Sequence, residues 1–272
     1  MDNTNLDGLG PAPAASRTVV VLQPGYLPWL GFFEQLARAD VFVYYDDVQF
    51  DKHGWRNRNR IKAASGQPHW LTVPIRHHGL DQPSILDVEI APGAPWARKH
   101  VGTLRQFYQG APYCTRYLPE LEELLNRRWR LLVDLDLAVV DLLCSWLGIQ
   151  RTIRRSSQLG VGGERSERLV HLCLRLGATD YYSGSAAHAY LDSALFAARG
   201  VRVHWQEYQH PVYRQLHGAF IPYLSAIDLL FNCGPASREI LLRGAGCADC
   251  AQPPLTSMDA LAHGANPALT ME

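Results

Sequence analysis

The sequence predicts an α/β protein with a mostly parallel sheet flanked by helices and a helical insertion around residues 95–147. Three observations carry this expectation. Thr18 to Leu22 and Val41 to Tyr45 are continuous apolar, β-branched or aromatic runs, the composition of strands buried on both faces. Between them lie a Pro/Gly turn at 24–28 and helical spacing from Trp29 to Ala39. That completes a strand–helix–strand unit, whose crossover should be right-handed. Strand and helix patterns alternate again after residue 150.

The remaining elements follow in order. Trp70 to Ile75 and Ile85 to Ile90 read as strands joined by a loop, and therefore antiparallel. Helical spacing covers 95–109, 117–129 and 131–147. Next come a short strand at Thr152 to Arg154, a helix at 164–176, a strand at Asp180 to Ser183 and a helix at 190–198. Val201 to Trp205 is a strand, 222–232 a helix stopped by Gly234, and 235–243 a last helix. No internal repeat or linker interrupts 18–243, which reads as a single α/β domain. Residues 1–17 read as a disordered leader and 244–272 as a loosely ordered tail rich in Ala, Gly and Pro.

Composition narrows the classes of function. With 272 residues, 47% hydrophobic and 19% charged, the chain resembles an ordinary globular protein. A formal net charge of +0 gives no global field for nucleic acid or an anionic membrane surface. Lys52, Lys62 and Lys99 are the lysines, and the other cations are arginine. No stretch reaches the roughly 18 apolar residues of a membrane helix, because Asp134, Asp136 and Asp141 interrupt the longest candidate. The N-terminus lacks the basic start and apolar run of a secretory signal. Six cysteines without such a signal read as free thiols in a reducing compartment, so the expected location is cytoplasmic.

Several segments are chemically expressive. Gln23 to Trp29 follows the first strand, at the edge where open α/β sheets bind ligands. Its prolines stiffen the turn, while Gln23, Tyr26 and Trp29 supply polar and aromatic tips; the alternative is a rigid connector that plugs the core. Asp46 and Asp47 end the second strand, and on extended backbone they would point to opposite faces, so that one of them enters a cleft as acid, base or amine ligand. In the segment 55–62, extended backbone would put Arg56, Arg58 and Arg60 on one face, with Trp55, Asn57 and Asn59 opposite. One face would bind anions and the other would make amide hydrogen bonds; a charge-protected edge strand is the competing reading.

Ser183-Gly184 follows a predicted strand with small residues that admit backbone approach to a phosphate or carboxylate. His210, Tyr213 and Gln215 form a polar aromatic loop. After it, Ser225, Asp228 and Asn232 make a polar stripe on an otherwise apolar helix, where a buried Asp228 needs a donor or a cleft. Other patterns are weaker. Cys247-x-x-Cys250 lacks a second pair for zinc, and His77-His78 lack a metal-protease spacing. Cys114, Cys144, Cys173 and Cys233 sit in apolar helical contexts as core thiols. A Ser183, His210, Asp228 triad lacks the GxSxG elbow. No metal site and no cofactor is implied.

These residues resemble the WbqC-like family. The matching blocks are Gln23-Pro24-x-Tyr26-x-Pro28-Trp29-x-Gly31, Ala39-Asp40, Asp46-Asp47-Val48-Gln49 and Trp55-x-Asn57-Arg58-Asn59-x-Ile61. They continue through Trp70-Leu71-x-Val73-Pro74, Ser183-Gly184, His210-Pro211, Tyr213, Gln215 and Ser225-x-x-Asp228-x-x-Phe231-Asn232-x-Gly234. The resemblance spans about 18–240 and implies a role in surface-polysaccharide (O-antigen) or natural-product biosynthesis, without fixing a reaction.

The expectation drawn from both lines is a transferase that forms an amide by acyl or aminoacyl transfer to an amine. The substrate would be a small molecule or carrier-linked. In this reading His210, Asp46 or Asp47 removes the amine proton, with Asp228 a further catalytic candidate. Arg58, Ser183 and Gly184 hold a phosphate or carboxylate, and Asn57 and Asn59 orient the acyl group. Gln23, Tyr26, Trp29, Trp55, Tyr213, Gln215, Ser225 and Asn232 complete the expected binding set. The alternatives are a nucleotidyltransferase-like enzyme, against which the missing HxGH histidines count, and a non-catalytic binding protein for a sugar nucleotide or pathway partner.

Overall fold

The computed structural model of the chain describes residues 16–52, 54–76 and 83–244. Most of the expected leader and tail, with Cys247 and Cys250, and the His77-His78 pair lie outside these residues.

A five-stranded sheet contains β1 (Thr18–Leu22), β2 (Val41–Tyr44), β7 (Thr152–Arg155), β8 (Asp180–Gly184) and β9 (Arg202–Gln206). The order is β7-β2-β1-β8-β9 and every pairing is parallel. Side-chain alternation sends Val20, Phe42, Tyr44 and Tyr182 to one face, and Val19, Val21, Val41, Val43 and Tyr181 to the other. Both faces are covered. Helices α1 (Leu30–Arg38), α4 (Leu132–Leu147) and α7 (Ala226–Cys233) contribute to the first core; α5 (Arg165–Arg175) and α6 (Ser193–Ala197) cover the second. This double burial explains why the strands read as unbroken apolar runs.

The helical insertion is present as α2 (Trp96–Tyr108), α3 (Cys114–Leu125) and α4. Helix α4 turns Leu135, Val139, Leu143 and Leu147 inward, and it stops where Gly148 takes the left-handed conformation at φ 62. The last helix, α8 (Ser237–Arg243), closes the described chain.

The middle strands differ from expectation. Pro68–Thr72 forms β4 and pairs antiparallel with β3 (Arg58–Lys62). Only Ile75–Arg76, β5, pairs antiparallel with Glu89–Ile90, β6. Pro74 interrupts the predicted strand because it has no N–H to donate. Ile85–Asp87 is a single 3-10 turn, with the Ser84 hydroxyl accepting from the Leu86 N–H. Two later helices are shorter than their periodicity suggested, because side-chain caps start them late. Asp192 accepts from the Leu195 N–H, and Ser225 from the Ile227 N–H.

Candidate functional site

The chain leaves β1 toward β2 and β7 on one side, while β8 and β9 lie on the other. The carboxyl ends of β1 and β8 therefore border a topological switch point, the usual position of a ligand crevice in open α/β sheets. Gln23 leaves β1 and Ser183-Gly184 ends β8, so two of the predicted segments are neighbours at this edge. Gln23 is half-buried, and its amide makes no hydrogen bond to the described residues.

The turn after β1 is clamped from both sides. The Tyr26 N–H donates to the Arg56 carbonyl at 3.0 Å, and the Ala226 N–H to the Pro28 carbonyl at 2.9 Å. Asn59 Nδ2 donates to the Leu27 carbonyl at 2.8 Å, holding a residue at φ 47. Asn57 Nδ2 donates to the Val73 carbonyl at 2.8 Å, and the Val73 N–H returns a bond to Asn57. The two asparagine amides are thus engaged with backbone. Tyr26 is fully buried, its hydroxyl 2.9 Å from His100 Nδ1 and its ring edge-on to Trp96.

Trp55 lies on the arginine face rather than with the asparagines. Its ring is 5.1 Å from Trp70, while the Arg58 guanidinium is 4.7 Å and that of Arg60 5.7 Å from the Trp70 ring. The strand begins only at Arg58, so extended alternation does not apply to Trp55 or Arg56. Arg56 is instead within electrostatic reach of the buried Asp136 of α4.

Asp46 and Asp47 do not point to opposite sides. Both carboxylates reach the Ser156 hydroxyl, because the backbone leaves extended geometry after β2. Asp46 is fully buried and also accepts from Arg155 Nε at 2.5 Å, the Ser157 N–H at 3.0 Å and the Ser157 hydroxyl at 2.9 Å. Burial alone would raise its pKa, but these donors outweigh it and hold the carboxyl below its ordinary range. Asp47 is half-buried and pairs with Arg168, whose guanidinium also lies over the Tyr45 ring at 5.2 Å. Arg155, Ser156, Ser157 and Arg168 were missed from sequence. The first three follow a predicted strand at its carboxyl end, the position that singled out Asp46.

The loop after β9 builds a different environment. Ring centroids of His210, Tyr223, Trp29 and Tyr208 close a cycle with spacings of 5.5, 5.6, 5.7 and 6.2 Å. Phe220 and Tyr213 add contacts to the imidazole at 5.6 and 6.2 Å. His210 Nδ1 is 3.1 Å from the Pro211 carbonyl, so this nitrogen carries the proton and Nε2 keeps its lone pair. Nε2 is buried without a hydrogen-bond partner among the described residues. Burial lowers the His210 pKa to about 4, with the Pro211 bond opposing. The imidazole is therefore neutral at pH 7.

Asp228 belongs to a buried network behind this box. Tyr108 donates to Oδ2 at 2.6 Å and Tyr213 to Oδ1 at 2.9 Å. Burial raises the Asp228 pKa despite these bonds and the charge of Lys62. Lys62, itself fully buried, bonds Gln215 Oε1 at 3.3 Å and the carbonyls of Gly218 and Ala219. Ser225 caps α7, and Asn232 Nδ2 donates to the Asp228 carbonyl at 2.7 Å. Tyr213, Gln215, Ser225, Asp228 and Asn232 thus make mutual or backbone bonds, leaving His210 as the member of this group with a buried polar atom that has no partner among the described residues.

The family model described as the WbqC-like protein family matches residues 23–240. The chain belongs to the WbqC-like family. A protein of Mycobacterium tuberculosis (strain ATCC 25618 / H37Rv), "Uncharacterized protein Rv1507c", is 35% identical over 237 residues, covering 83% of this chain and 97% of its own length. No solved structure matches.

The match begins at Gln23 and so takes in the clamped turn, the aspartate cluster and the His210 box of this WbqC-like chain. A separate surface hollow of about 480 Å³, bounded by Arg76, Trp96, Trp129 and Arg130, contains none of the predicted site residues. No described helix is long and apolar enough to cross a membrane. Among the described residues, no group of three or more His, Cys, Asp or Glu is placed to hold a metal ion.

Proposed function

We propose that this protein is a biosynthetic enzyme of a surface-polysaccharide or natural-product pathway that forms an amide by acyl or aminoacyl transfer to an amine. The observation that carries the reading is His210: one ring nitrogen is committed to the Pro211 carbonyl, and the other offers a lone pair inside an aromatic box. In the proposed step the amine nitrogen attacks the acyl carbonyl carbon and its proton passes to Nε2 as the C–N bond forms. The bond from that carbon to the leaving group then breaks, and the proton moves from Nε2 to the leaving group. A neutral imidazole of low basicity suits a nitrogen made acidic by bond formation. Asp47 with Arg168, Gln23 and the Ser183-Gly184 backbone form the polar edge at which the remainder of the substrate is held. Asp46 and Asp228 act as supports, because their oxygens are already engaged.

The test is reconstitution of the native pathway with His210→Ala and Asp47→Asn, with product read by mass spectrometry and folding checked by circular dichroism. His210→Ala should lower the rate by about 10²-fold or more while remaining folded. Undiminished product from that variant would overturn the assignment.

A further inference from the structure

The outer face of the β3–β4 ribbon carries a group of side chains that take no part in the proposed proton transfer at His210. Arg60 stands directly across the ladder from Trp70, and Arg58 across from Thr72. Trp70 is 42% exposed although it is a large aromatic on a two-stranded ribbon. Its ring meets Trp55 at 5.1 Å with an interplanar angle of 33°, so the two indoles form a shallow, open pair. The Arg60 guanidinium lies 5.2 Å from the Trp55 ring and 5.7 Å from that of Trp70. Arg58 lies over Trp70, with its Nε bonded to the Gly54 carbonyl at 3.3 Å.

Arg60 is the decisive residue. Its Nε is buried without a hydrogen-bond partner, and no carboxylate forms an ion pair with it among the described residues. The one hydrogen bond its guanidinium makes to a described residue is a long one, from Nη2 to the Tyr223 carbonyl at 3.5 Å. A charge placed only to protect a sheet edge would sit in water at no cost. Here the guanidinium is partly desolvated and under-bonded, a cost that a bound anion would offset. Tyr223 also closes the aromatic cycle around His210, so the platform and the box share a residue.

We infer that Trp55, Trp70, Arg58 and Arg60 form a binding site for a nucleoside phosphate. The flat base lies on the exposed indole, and the phosphate meets the outward edge of Arg60. Stacking on an aromatic face tolerates any base, and a guanidinium fork matches phosphate geometry. The role as a substrate-recognition subsite rests on the His210 reading; the binding itself does not and is measured without turnover.

The experiment is quenching of intrinsic tryptophan fluorescence, with titration calorimetry, using UMP and AMP against uridine, adenosine and inorganic phosphate. Both nucleotides should bind saturably, and the nucleosides and inorganic phosphate each at least about fivefold more weakly. Arg60→Gln and Trp70→Ala should each weaken nucleotide binding by about tenfold while circular dichroism stays unchanged. Arg60→Lys should fall between, since it keeps the charge but loses the planar fork. His210→Ala should bind nucleotide like the parent protein even if it abolishes product formation. No saturable binding of either nucleotide, or unchanged binding by folded Arg60→Gln, would overturn the inference. Phosphate binding as strongly as UMP would overturn the stacking half and leave a bare anion site.

Discussion

The Tyr108 hydroxyl donates to Asp228 Oδ2 at 2.6 Å across 120 residues of sequence, tying α2 to α7 beneath the His210 box. The same phenol oxygen accepts from the Lys62 N–H at 3.0 Å, so one side chain joins two helices and a strand. Tyr108→Phe should remove both bonds and leave a buried carboxylate short of a donor. The expected cost is about 1–3 kcal/mol, measured by urea unfolding. The rate of a still-folded variant should change far less than that of His210→Ala.

Acid should act through the buried histidines. His210 and His100 both have pKa values lowered by burial to about 4, against an ordinary value near 6.5. Between those values the unfolded chain takes up protons that the folded chain excludes. Their contribution to stability is therefore complete above about pH 6.5 and is lost as pH falls toward about 4, by up to about 1.4 kcal/mol per unit per group. Urea unfolding at successive pH values should show a shallower decline over this window for His210→Ala than for the parent protein. An identical slope would contradict the buried, neutral imidazole.

The Asp46 cluster should behave as a structural support. Arg155→Met removes one of the two donors to Asp46 Oδ2 and leaves a fully buried carboxylate with the serine donors alone. We expect a loss of about 2 kcal/mol in denaturant unfolding. Because its folded pKa is lowered, the Asp46 contribution is present above about pH 3.8 and fades as pH falls through the folded value.

Gly31 permits the position of Trp29. A Cβ at residue 31 would come within 2.2 Å of the Trp29 ring. Alanine is also the better helix former, so Gly31→Ala should retain the fold and displace the indole from the His210 cycle. Product formation should fall by about tenfold or more through misplacement. A shifted tryptophan emission maximum should accompany the loss.

The helix thiols should be inert. Burial pushes Cys144 and Cys173 up to about 12, with the Asp141 charge adding to the effect at Cys144. Native protein treated with iodoacetamide and mapped by mass spectrometry should leave both unlabelled until denaturant is added. Cys144→Ala should leave the reaction rate unchanged.

Much of the fold was legible because its signals are local. The runs at β1 and β2 and the i, i+3, i+4 spacing of α2 and α4 report which side faces a core. Legibility failed where a single residue decides the geometry: Pro74 divides a predicted strand, and Ser225 starts α7 four residues later than its periodicity suggests. Gln23, Asp46 and Ser183 were singled out by their position at strand ends, and the structure has them at the carboxyl ends of β1, β2 and β8. Periodicity misplaced Trp55 because extended geometry begins only at Arg58.

By itself the sequence determined a parallel α/β architecture, the three-helix insertion and which segments follow the strand ends, since all of these follow from neighbouring residues and chain order. Only the tertiary structure decided which polar groups remain available. Asn57, Asn59, Asp46 and Asp228 find partners as far as 16, 32, 109 and 120 residues away, whereas His210 Nε2 and Arg60 Nε find none among the described residues. Hydrogen-bond satisfaction depends on distant partners brought together by packing, which no local pattern encodes.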